Sequence, residues 1–150
     1  MIHVLIDTTA YRQDPQRKKA PFQVLRDLAI SARLTLHIPY VVQNEFVGHL
    51  QDEYLSDLSH ITNALGKLDR KSLPKSIAKS IKSFQRNSKS YKKRIFSHVE
   101  SEFLAWVASI RAKTYPLKAS HARQVLEKYF SGLPPFGNRR EREHIPDAFI

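Results

Sequence analysis

Hydrophobic and polar positions along this chain follow two periods, and the switches between them mark its elements. Val4-Leu5-Ile6 is an apolar run rich in β-branched residues that stops at Asp7, with Thr8 and Thr9 after it. A short apolar run bounded by polar residues reads as a buried strand, which in an α/β protein is usually parallel and covered on both faces. Residues 11–19 are mostly polar and read as a loop. Pro21 then opens a helix, since its fixed φ suits a first helical position. Phe22, Leu25, Leu28 and Ala29 fall on one face of that helix, and Ala32 continues it. Leu34-Thr-Leu-His-Ile-Pro39 alternates apolar with polar and ends at a proline, the pattern of a second strand. Strand, helix and strand make a βαβ unit, and its crossover is expected to be right-handed.

From Tyr40 the period is helical. Val41, Val42, Phe46 and Leu50 form one stripe, and a further helix is expected over residues 55–68. Pro74 and Pro116 bracket 41 residues without Gly or Pro. Within them Ile77, Ile81, Phe84, Tyr91, Ile95, Val99, Phe103, Trp106 and Ile110 recur at helical spacing. Two helices broken near Asn87-Ser88 are expected, because one helix of this length would be unusual. Residues 117–130 predict another helix, with Ala122, Val125, Leu126 and Tyr129 inward. Gly132-Leu-Pro-Pro-Phe-Gly137 breaks the pattern, and Pro146-Asp147-Ala148 reads as a helix start one turn before the chain stops. An apolar half-turn is an uncommon place for a domain to end, so the chain reads as a fragment of a longer domain.

Composition narrows the function. At 150 residues one domain is expected. Gly is scarce, at 4 residues, which disfavours an all-β fold built on tight turns. No apolar run approaches the ~20 residues that span a bilayer, and the opening run is too short for a secretory signal. The absence of Cys excludes disulfides, thiolate metal sites and Cys nucleophiles, and suits a cytoplasmic location. Net charge is +11, and it is segregated: residues 70–99 hold ten basic residues and no acidic one, against 15 basic and 14 acidic elsewhere. Solvated faces usually mix signs, so an acid-free tract points to a polyanion, of which nucleic acid is the commonest. Arg86, Lys89, Lys92, Lys93 and Arg94 form its densest part, and Arg139, Arg140 and Arg142 a second cluster near the C-terminus. The alternatives are a solvated helix face and a flexible basic loop.

Three carboxylates share one kind of setting. Asp7 follows the first strand, Glu45 lies early in the helix after the second, and Asp147 stands at a helix start. In parallel α/β folds strand carboxyl ends and the following helix N-termini share one edge of the sheet. Oxygen ligands without Cys suit a hard cation, Mg²⁺ or Mn²⁺, which activates water and neutralises charge in phosphodiester cleavage. The alternatives are helix caps at Asp7 and Asp147 and an exposed helix residue at Glu45. Glu141 and Glu143 are substitutes for Asp147 if the tail register differs. The His residues show no zinc-ligand spacing, and no phosphate-cradling Gly-Lys-Ser/Thr motif or nucleophile elbow is present. Tyr91, Phe103 and Trp106 lie in the apolar stripe and read as core.

Ile6-Asp7-Thr8-Thr9 after an apolar strand, Ile38-Pro39-Tyr40-Val41-Val42 followed by Glu45, and Ile145-Pro146-Asp147-Ala148 resemble, in this order, the motifs of PIN-domain nucleases. The resemblance is to the PIN-like group with an extended helical middle. It implies a three-layer α/β/α fold with a short parallel sheet, a helix-rich middle insertion whose basic part spans about residues 70–115, and a single domain over residues 1–150 lacking its C-terminal part. It further implies a metal-dependent nuclease, a ribonuclease ahead of other kinds, in which Asp7, Glu45 and Asp147 hold Mg²⁺ or Mn²⁺ and Thr9 supports Asp7. The family usually supplies another acidic residue after the next strand, and this chain stops short of it. The expected partner is nucleic acid, RNA ahead of DNA. A non-catalytic nucleic-acid-binding module and a basic face for an acidic protein, such as an antitoxin, are the competing readings.

Overall fold

The computed structural model describes residues 1–136, 145 and 147–149, the side chain of Asp147 excepted. Three parallel strands, β1 (Ile2–Leu5), β2 (Leu34–Pro39) and β3 (Lys113–Tyr115), form a sheet in the order β1-β2-β3. Between β1 and β2 run α1 (Thr8–Gln13) and α2 (Ala20–Ile30), and between β2 and β3 run α3 (Tyr40–Asp69) and α4 (Lys75–Ser109). After β3 come α5 (Ala119–Ser131) and a 3₁₀ turn, Asp147–Phe149. The α/β class and the parallel βαβ unit are as the pattern predicts.

The chain divides into two compact units, Met1–Phe46 with Val107–Ile150, and Val47–Trp106. In the sheet-bearing unit, Leu34, Leu36 and Ile38 of β2 are buried while Thr35 and His37 between them are half-buried. Strand register puts Ile2 beside Leu34 and Val4 beside Leu36, on the buried residues' face. β1 nevertheless leaves Ile2 and Leu5 exposed, against the expectation of a strand covered on both sides. The reason is its place: among the described residues β1 pairs with β2 alone, at the edge of the sheet. On the opposite face a polar ladder crosses all three strands. His3 Nδ1 lies 2.8 Å from His37 Nε2, and His37 Nδ1 lies 2.5 Å from the Tyr115 hydroxyl. A neutral imidazole offers one donor and one acceptor, so one His37 ring can serve both bonds.

Several boundaries differ from the sequence expectation. Residues 11–19 are not all loop: Tyr11 is helical and fully buried, its ring 5.4 Å from those of Phe22 and Phe46. Ala32 does not continue α2. It takes φ 57°, and the amides of Ala32 and Arg33 donate to the carbonyls of Ala29 and Leu28, which closes the helix end. β3 is absent from the sequence reading, because its three exposed residues offer no alternation long enough to register. In α5, Val125 and Tyr129 are buried as expected but Leu126 is 47% exposed, one position off the stripe that meets Phe136.

The helical unit carries the largest departure. The expected pair of helices over residues 40–69 is one helix, α3, and the expected break at Asn87-Ser88 is absent from the unbroken α4. Ser88 does not compete with the helix: its hydroxyl donates to the Gln85 carbonyl within the helix at 2.8 Å. Val47, Ile81, Val99 and Phe103 are the buried apolar residues of this unit. Among the described residues no helix is long and apolar enough to cross a membrane.

Candidate active site

The carboxyl end of β1 turns directly into α1, and Asp7 is the residue at the turn. Its extended backbone, φ −70° and ψ 154°, is that of an N-cap, and its Oδ2 accepts from the Thr9 amide at 3.3 Å. The Thr9 hydroxyl first, and the amides of Thr9 and Thr8 after it, hold the carboxyl below its ordinary value of 3.8, with slight burial opposing them. Hydrogen bonds to the charged form favour that form. Asp7 is exposed, so this is an ionised carboxylate open to water at the end of a parallel strand.

β2 ends at Pro39 and α3 starts at Tyr40, so Glu45 comes within the first two turns of α3. It is half-buried, between the fully buried Val42 and Phe46 on its helix. Its Oε2 accepts a hydrogen bond of 2.7 Å from the hydroxyl of Thr8, the residue after Asp7. Thr8 is itself buried. One hydroxyl therefore ties the helix after β2 to the helix after β1, and brings Asp7 and Glu45 to the same edge of the sheet.

Asp147 begins the 3₁₀ turn, whose neighbours Ile145, Ala148 and Phe149 pack against Val125, Tyr129 and Phe136. The side chain of Asp147 lies outside the described residues, as do Glu141, Glu143 and the cluster Arg139, Arg140 and Arg142. Arg86, Lys89, Lys92, Lys93 and Arg94 are exposed on α4, as are Lys75, Lys79 and Lys82, while Arg70 and Lys71 are exposed in the turn before it.

Sequence reasoning named Thr9 as the support of Asp7 and overlooked Thr8. The signal was present: in Asp-Thr-Thr at a helix start, the two hydroxyls leave the helix about 100° apart, so each meets a different carboxylate. It also overlooked how firmly the loop after α1 is held. Asp14 is buried and accepts from the amides of Lys18 and Lys19 at 3.2 and 2.7 Å. Arg17 is buried at φ 54°, donates to the Pro15 carbonyl at 2.8 Å, and sets its guanidinium 5.8 Å from the centre of the Phe46 ring. Asp14 thus serves the backbone, and among the described residues Asp7 and Glu45 are the candidate carboxylates at this edge of the sheet.

Both are hard oxygen donors. Asp7 is ionised, and Glu45 has one oxygen engaged by Thr8 and a second oxygen beyond that bond. Carboxylate oxygens are the donors a hard divalent cation takes, with several waters kept. Among the described residues no group of three or more His, Asp or Glu side chains is close enough to hold a metal.

A family model for the PIN domain matches residues 4–150. No curated protein and no solved structure matches the chain.

Proposed function

Since the chain belongs to the PIN-domain family, whose members are generally nucleases, we propose that it is a metal-dependent nuclease acting on RNA ahead of DNA. Asp7, Glu45 and Asp147 are the residues that hold Mg²⁺ or Mn²⁺ in this reading. A divalent ion bound there supplies charge neutralisation at the phosphodiester and lowers the pKa of water. The chain's own residues prepare the place. Thr9 keeps the Asp7 carboxyl ionised, Thr8 orients Glu45, and the buried Tyr11 and Phe46 give both a rigid base. The basic tract of residues 70–99 supplies affinity for the polyanion.

What supports the assignment most is the 2.7 Å bond from Thr8 to Glu45, made by the residue next to Asp7. Separation along the chain gives no reason for these side chains to meet, and a helix cap alone does not require Glu45 at all. The test is cleavage of a labelled single-stranded RNA with Mn²⁺ added. Wild-type protein is expected to cut it, and Asp7→Asn is expected to stop cutting while leaving RNA binding nearly intact. Undiminished cleavage by Asp7→Asn would sink the assignment.

A further inference from the structure

The helical unit, Val47–Trp106, carries more than a basic surface needs. Two depressions between α3 and α4 share Leu58. One, of about 640 Å³, is lined by Leu58, Ile61, Phe84, Tyr91, Arg94 and His98. Its neighbour, of about 240 Å³, adds Leu55 to the shared Leu58 and carries Ser59, Asn63, Lys89 and Lys92 on its walls. The Phe84 and Tyr91 rings are 5.2 Å apart and tilted by 47°, and both are only half-buried. Ile61, across from them on α3, is 49% exposed.

An aromatic pair left half open beside cations is poor design for a solvated face and for a core alike. A core would close over the rings, and a solvated face would not carry them. An apolar helix from a partner protein would suit the rings but would have to lie against Lys89, Lys92, Arg94 and His98, with no acidic residue anywhere in residues 70–99 to moderate them. A nucleotide satisfies both halves, since its base presents a π-face and its phosphate a negative charge. Duplexes keep their bases stacked inside, so the strand must be single. We propose that this groove takes an unpaired base of single-stranded nucleic acid against Tyr91 and Phe84, with the neighbouring phosphates on Arg94, Lys89 and Lys92. The hydroxyl of Ser59 and the amide of Asn63 are on the sugar-phosphate side. This rests on the reading of the chain as a protein that acts on nucleic acid, and adds to it a recognition site for strandedness.

The test measures equilibrium binding of the full chain, in buffer freed of divalent metal by a chelator so that nothing is cut, to a uridine oligonucleotide of about a dozen nucleotides, long enough for a typical single-strand site. The comparison ligands are an abasic strand of equal charge and inorganic polyphosphate. Tyr91→Leu keeps apolar volume but removes the stacking face. It is expected to weaken oligonucleotide binding roughly tenfold while leaving polyphosphate binding unchanged. Wild-type protein is expected to bind the abasic strand roughly tenfold more weakly than the oligonucleotide, a result that needs no variant to fold. Replacing Lys89 and Lys92 together by Gln should flatten the slope of log affinity against log salt by roughly 1.4. Equal affinity for the abasic strand and the oligonucleotide overturns the base pocket while leaving the basic tract as a polyanion surface. Binding to no polyanion at all overturns both the pocket and the nuclease reading beneath it.

Discussion

Asp7 caps α1 and stands open to water at the end of β1, so its two roles can be separated by substitution. Asn caps a helix as well as Asp does. Asp7→Asn is therefore expected to leave thermal stability within about 0.5 kcal/mol of wild type, while Mn²⁺-supported cleavage of RNA falls by about a hundredfold or more. A loss of both together would mark Asp7 as a cap and no more. Thr8 makes a different prediction. Its hydroxyl is buried and donates to a carboxylate, so Thr8→Val should cost about 1.5–3 kcal/mol in denaturant unfolding, the usual worth of a hydrogen bond to a charged group. Thr8→Ser, which keeps the hydroxyl, should cost less. Tyr11 supplies the pH dependence. Burial raises its phenol well above the ordinary 10.0, with Arg17 opposing. The folded state then holds a proton that the unfolded state releases, so Tyr11 leaves stability unaffected below pH 10.0 and costs stability as the pH climbs beyond it. Tyr11→Phe should remove that part of the alkaline fall, read as the difference between the two proteins' unfolding midpoints at pH 8 and above pH 10.

At the scale of elements, the sequence was most legible where a long pattern met a clear stop. The β2 strand, the proline-led α2 and the start of α3 at Tyr40 all stand where alternation, proline and helical period put them. Misplaced breaks came from local cues that tertiary packing overrode. Asn87 and Ser88 are weak helix formers, yet α4 runs through them with Ile81 buried on one side and Tyr91 half-buried on the other. The continuity can be tested at that spot. Ser88→Ala should change stability by less than about 0.5 kcal/mol, since the lost bond lies within its own helix. Ser88→Pro removes a backbone donor in mid-helix and should cost about 3 kcal/mol or more, with helical signal lost in far-UV circular dichroism. A mild effect from the proline would mean that the break expected from the sequence exists in solution.

For the molecule as a whole, charge is the dominant property. Ten exposed cations without an acid among them make affinity for polyanions fall steeply with salt. Replacing Arg86, Lys92, Lys93 and Arg94 by Gln should reduce the slope of log affinity against log salt by up to about 2.8 for a single strand, if all four meet phosphates. The same substitutions should leave unfolding nearly unchanged, because exposed charges contribute little to stability. An unchanged slope would remove residues 86–94 from the contact surface.

From sequence alone came the α/β class, the parallel unit opening the chain, the segregated charge and the family likeness carried by three short motifs. Each of these is written in neighbouring residues or in a period, so no folded chain is needed to read it. Tertiary structure alone decided that Thr8 rather than Thr9 reaches Glu45, that Leu126 faces outward, that a His-His-Tyr ladder crosses the sheet, and that Phe84 and Tyr91 stay half open. Those outcomes depend on which distant segments come to lie beside one another, and packing settles that only once the whole core has formed.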